Sequence, residues 1–144
     1  MLSDGSARRF GVAWLSLCVA LAAHVFDEAT TGFLAVYNPT VEAIRARLPW
    51  LPVPTFTFRV WLWLLIVAVA SLLGLSVFAF RGAPWLRPLA YFFAVVMLLN
   101  AAGHTVGTIY MGRAMPGVYS SPLLFVGAVW LLVVTRRAGK VEVA

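Results

Sequence analysis

The chain has 144 residues, 62% of them hydrophobic and 11% charged, with a mean hydropathy of +0.93. That balance excludes an ordinary soluble domain, and four spans of about 20 residues with short connections use the whole length, leaving no room for a second domain. The net charge of +6 does not point to nucleic acid, because the basic residues stand at the ends of apolar runs, where they read as topology and lipid-headgroup charges.

Taken in order, a polar lead ending in Arg8-Arg9 precedes an apolar run that begins at Phe10. The layout resembles a secretory signal peptide, and Ala20-Leu21-Ala22 resembles a cleavage site. The run continues past His24 through Phe33-Leu34-Ala35-Val36, however, which favours a retained first span over 10–33. Cys18, the single cysteine, lies inside this run and reads as small core filler. A continuous helix from Phe10 to Tyr37 would be roughly 40 Å long against a hydrocarbon core of about 30 Å, so it must tilt or break near Thr30-Thr31-Gly32.

Asn38-Pro39 has the composition of a helix start, with Asn as cap and Pro at the first helical position. Val41, Ile44 and Leu48 then recur at helical spacing opposite Glu42, Arg45 and Arg47, which predicts a short interfacial helix over 39–48. The prolines 49, 52 and 54 favour extended chain, with Trp50 as an interfacial anchor. A second span follows over 55–80, carrying Arg59 near its start and no later ionisable group. The third covers 89–111 and the fourth 118–134, with Lys140 in the tail beyond Arg136-Arg137. The expected architecture is an all-α integral membrane protein, a four-helix bundle with one interfacial helix.

With four spans, one side holds Arg8, Arg9, Arg81, Arg87, Arg136, Arg137 and Lys140, and the other holds Arg45, Arg47, Arg59 and Arg113. The excess favours both termini in the cytoplasm, and the composition suits a bacterial inner membrane.

Two polar groups interrupt this apolar pattern. His24, Asp27 and Glu28 lie late in the first span, while Asn100 and His104, which includes the second of only two histidines, lie in the third. Ionisable groups at such positions are costly and mark function or a structural network. His24 is 15 residues beyond Arg9, roughly 22 Å along a helix, and His104 is 17 residues beyond Arg87, roughly 26 Å. Both groups therefore reach the same depth. Helical spacing puts His24, Asp27, Glu28 and Thr31 on one face, and Asn100, His104, Gly107 and Met111 on another. The Gly103-x-x-x-Gly107 spacing offers a place where the first helix can dock.

Two imidazoles, one or two carboxylates and a nearby amide suit zinc or non-haem iron, with His24 and Glu28 at i, i+4 and His104 as the third ligand. A bound water would then attack an ester, an amide or a similar group. Asp27 or Glu28 would serve as general base or orient a histidine, Asn100 would lie near the ligand, and Arg113 would hold an anionic headgroup at the mouth. A metal-free acid/base site suited to an isomerase stays open, as does a purely structural network.

His24-x-x-Asp27-Glu28, Asn100-x-x-x-His104 and Arg113-x-x-Pro116-Gly117 together resemble the HXXEE-domain family of small multi-span membrane proteins, over about residues 13–134. Here Asp27 stands where the family motif has Glu. The resemblance implies a family suspected of enzymatic activity and supports the same residues as the site. The expectation is a membrane-embedded hydrolase or isomerase acting on a lipid or another hydrophobic small molecule. The alternative is an accessory or ligand-binding protein, a homo-oligomer or a subunit of a larger membrane complex, in which the cluster is structural.

Overall fold

The computed structural model describes residues 4–141, which form five helices and no strand. These are α1 (Asp4–Thr31), α2 (Leu34–Arg47), α3 (Phe58–Phe80), α4 (Leu86–Met111) and α5 (Ser121–Val141). Four of them, α1, α3, α4 and α5, are long and apolar enough to cross a membrane. The expected spans are all present, with α1 starting nearer the N-terminus and α5 running further than hydropathy indicated.

Of the two expected alternatives, tilt or a break near Thr30-Thr31-Gly32, α1 shows the break. Gly32 takes the left-handed conformation at φ 81°, and Gly32 N and Phe33 N both donate to the Glu28 carbonyl, at 3.1 and 3.0 Å. Such a left-handed glycine satisfies the last carbonyls of a helix and turns the chain. The turn is so short that helix resumes at Leu34, which corrects the expected start at Asn38-Pro39. Asn38 lies inside α2, and its amide is used elsewhere. Nδ2 donates to the Phe56 carbonyl at 2.9 Å, while Oδ1 accepts from Phe56 N at 3.1 Å. Together with Tyr37 Oη donating to the Pro54 carbonyl at 3.0 Å, this straps the proline-rich segment to α2. Only Val41 of α2 is buried. α3 then begins after Thr57, whose side chain accepts from Val60 N as its cap.

α1 is the axis of the bundle. It packs along α3 and α5, and α5 in turn packs along α4. Close approach comes from small residues. Gly11 lies directly against Phe80, and a Cβ on Gly127 would stand 3.2 Å from Leu17 Cδ1. Between α1 and α4 the gap is wider and is filled by large rings. Trp14 is fully buried, packs against Phe93 with centroids 5.4 Å apart, and donates Nε1–H to the Leu72 carbonyl at 2.9 Å, so one side chain ties three helices. Phe10, Leu17, Leu86, Leu124 and Leu131 complete the centre of the core. Cys18 is buried there as a free thiol.

The Gly103-x-x-x-Gly107 spacing does not dock α1. A Cβ on Gly103 would meet nothing within 4 Å, and Gly107 is covered by Met115 from the connection after α4. The outer face of α3, with Val60, Trp63, Leu64 and Val67 exposed, is apolar as a lipid-facing surface must be.

The burial pattern gives a direct test. Trp14→Ala removes the ring shared by three helices and is expected to cost about 3–5 kcal/mol of stability, whereas Trp63→Ala on the outer face changes it little. Denaturation of the purified protein in detergent measures both.

Candidate functional site

The site is built at the end of the bundle where α1 breaks. His24 and Glu28 are one helical turn apart on α1, and His104 comes from the second half of α4. All three are almost fully buried, at 1%, 5% and 4% exposure. Glu28 Oε1 stands 3.5 Å from His24 Nε2 and 3.1 Å from His104 Nε2. The imidazoles meet edge to face with centroids 4.7 Å apart. Phe33, placed by the Gly32 turn, packs against His104 at 5.6 Å and against Trp61 at 6.0 Å, forming an aromatic wall on one side.

The connection between α4 and α5 covers the cluster. Gly112 ends α4 in the left-handed conformation at φ 62°, and Met115 N donates to Thr108 Oγ1 at 2.9 Å, folding the chain back over the helix end. Gly117, at φ 90°, lies on the cluster itself. A Cβ there would stand 2.6 Å from His104 Cε1 and 2.9 Å from Glu28 Cγ. Backbone can pass this close only without a side chain.

Asp27 does not join Glu28. Its Oδ2 accepts from Ser120 N at 2.9 Å and from Ser120 Oγ at 2.8 Å. Ser120 Oγ in turn lies 2.8 Å from His24 Nδ1. Asp27 is thus linked to His24 through the residue that opens α5. Ser121 Oγ donates to the Gly117 carbonyl at 2.9 Å, which holds the same turn.

The residues singled out from the sequence divide accordingly. His24, Glu28 and His104 converge, and Asp27 acts one bond removed, through Ser120. Asn100 shares the His104 face, one turn away, and its Oδ1 is buried without a hydrogen-bond partner. Arg113 is exposed on the connection rather than directed into the cluster. Ser120 and Gly117 also shape the geometry: Gly117, expected only as a turn residue and part of the family pattern, lies on the cluster, and Ser120, expected inside the fourth span, joins Asp27 to His24. The sequence did hold a signal for them, since Ser120-Ser121-Pro122 is a helix start and Gly117 a turn residue three positions earlier.

The nearest large groove, of about 390 Å³, lies between α4 and α5 and is lined by Ala101, Thr105, Val106, Ser121, Phe125 and Val126 among others. It borders the site through the neighbours of His104 and Ser120. None of the three converging residues is on its walls.

Fold and cluster together define a class: an all-helical membrane protein of four crossing helices with a buried His/Glu/His centre at one end. Within it, the chain belongs to the HXXEE family, whose model, described as a protein of unknown function with HXXEE motif, matches residues 14–131. No curated protein and no solved structure matches the chain. The match runs from Trp14 to Leu131 and so takes in the whole cluster, with His24, Asp27 and Glu28 as the motif.

Gly117→Ala places a methyl group against His104 and Glu28 on a strained backbone, and is expected to lower stability by about 1–3 kcal/mol. Gly103→Ala, which meets open space within a helix, should be neutral or slightly stabilising. Thermal unfolding of the two variants side by side measures the difference.

Proposed function

We propose that this protein is a membrane-embedded hydrolase that binds one divalent metal ion through His24, Glu28 and His104 and acts on an ester or amide of a lipid or another hydrophobic molecule. The observation that carries the reading is the convergence of three buried donor atoms, all within 4.8 Å of one another. Ligands about 2.0–2.1 Å from a tetrahedral ion lie about 3.3 Å apart, and the spacings of 3.1 and 3.5 Å around Glu28 bracket that value. Two imidazoles and a carboxylate are a donor set that zinc or non-haem iron accepts. Three protein ligands leave a fourth position for water, the arrangement of catalytic rather than structural zinc sites.

A bound divalent ion lowers the pKa of its water and polarises a carbonyl. The chain's own contribution is to hold the ligands on two helices, to exclude bulk water with Phe33 and the Gly117 turn, and to keep Asp27 and Ser120 behind His24. Membrane depth suits a lipid-soluble substrate, and the groove between α4 and α5 offers an apolar surface next to the site. The arginine distribution supports an orientation with both termini in the cytoplasm of a bacterial cell and the site towards the outer leaflet. Arg113 is then available at the headgroup level for an anionic substrate group.

A second reading, a structural polar network in a subunit of a larger membrane assembly, draws support from the groove walls, which omit the three converging residues. The two readings part on metal content. Elemental analysis of the purified protein is expected to find about one zinc, iron or manganese per chain, falling to background in Glu28→Gln and in His104→Ala and unchanged in Arg113→Ala. Wild-type protein that neither retains nor takes up such an ion would exclude the metal-dependent hydrolase.

A further inference from the structure

Ser120 stands between two acceptors and one ring nitrogen, and it has a single hydroxyl hydrogen to place. Its Oγ is 2.8 Å from Asp27 Oδ2, 2.8 Å from His24 Nδ1 and 3.2 Å from the Gly117 carbonyl. If that hydrogen went to His24, two bare acceptors, Oγ and Oδ2, would face each other at 2.8 Å. The Gly117 carbonyl is the longest of the three contacts and already accepts from Ser121 Oγ. The hydrogen therefore goes to the carboxylate, where the bond is charge-assisted. The lone pairs of Oγ then face His24 Nδ1, which must itself carry a hydrogen.

We infer that Asp27 and Ser120 are positioning residues that hold a hydrogen on His24 Nδ1, the Nδ1–H tautomer of the neutral ring, and so leave Nε2 as the nitrogen that faces Glu28 and His104. This rests on the metal-site reading for its purpose but not for its geometry. His24 Nε2 is buried and has no hydrogen-bond partner, as a nitrogen reserved for a ligand would be. Ligating histidines are commonly oriented in this way by a second hydrogen bond from the other nitrogen. His104 lacks any such device. Its Nδ1 is buried with no partner, and its Nε2 faces Glu28 at 3.1 Å. In the metal-free protein its hydrogen sits on Nε2, directed at the carboxylate. The two histidines thus hold opposite tautomers.

The inference also assigns a role to the Asp at the fourth motif position. The Asp27 carboxylate is bonded to Ser120 rather than to the side chains of the His/Glu/His centre. It holds the first residue before α5 by both its N–H and its hydroxyl, so the start of α5 and the tautomer of His24 are set by one carboxylate.

Nitrogen-15 NMR of metal-free, histidine-labelled protein in detergent or nanodiscs tests this, since the chain has only two histidines and a His104→Gln variant assigns their signals. The expected result is a pyrrole-type Nδ1 and a pyridine-type Nε2 for His24, with the reverse for His104. An Nε2–H tautomer at His24 in the wild-type protein would overturn the proposal, whatever the metal content. Ser120→Ala is expected to release His24 into a mixture of tautomers and to weaken zinc or cobalt binding about 10–100-fold, while Ser120→Thr, which keeps the hydroxyl, retains both properties. A Ser120→Ala protein with an unchanged tautomer would likewise sink it. If zinc and cobalt bind to neither wild type nor Ser120→Thr while the tautomers are as expected, the metal reading fails and the positioning role stands.

Discussion

The structure depends on keeping a carboxylate, Glu28, inside an apolar bundle. An ionised group that loses its partners in such surroundings costs several kcal/mol, so each must be supplied by protein. Glu28 obtains two imidazoles, one from its own helix and one from α4. Its backbone is enlisted too, since its carbonyl takes the two N–H groups that end α1. One residue is therefore both the middle of the polar cluster and the place where the first helix stops.

The neighbouring elements follow from that requirement. α1 and α4 cannot pack closely where two imidazoles lie between them, and the separation persists down the bundle, filled by Trp14 and Phe93. α5 compensates by packing closely against both helices. Its start and the residue before it supply Ser121 and Ser120, and Gly117 ahead of them lets backbone cover the imidazole of His104. On the remaining side, the break at Gly32 delivers Phe33 as a wall. The Asn38 clamp then holds the proline-rich segment, whose Phe56 stacks on Tyr37 at 6.0 Å next to Phe33. Features that look unrelated along the chain thus enclose a single polar centre.

The spans and the meeting of His24, Glu28 and His104 were legible in the sequence for physical reasons that can be named. Hydropathy and the arginine-flanked turns set the four helices, and helical rise alone put His24 and His104 at one depth. Length against bilayer thickness left tilt or a break at Thr30-Thr31-Gly32, and the left-handed Gly32 decides for the break. Asn38-Pro39 misled because capping residues are local signals, whereas the true start was decided by Gly32 and by an Asn38 bond to Phe56, 18 residues away. The Gly103 and Gly107 pair misled in the same way: spacing identifies a smooth face, not what lies on it. Ser120 escaped notice because its partners, His24 and Asp27, are more than 90 residues distant, a pairing no local pattern encodes. Trp14, one tryptophan among six, gave no sign that it alone would be central.

Charge balance then separates the roles of the two adjacent carboxylates. The arginines at this end, Arg45, Arg47, Arg59 and Arg113, are exposed, so neutralisation of the buried cluster does not come from a guanidinium directed into it. Asp27 is half-buried and answered by the N–H and hydroxyl of Ser120, which is sufficient for a carboxylate near the edge. Glu28 is deeper, and its partners are imidazoles, groups that are neutral unless protonated. A cation among the three donors, as proposed, would bring Glu28 the positive charge that neutral imidazoles lack. The division of roles accounts for the shorter Asp at the fourth motif position: its reach is set by Ser120, not by the centre itself.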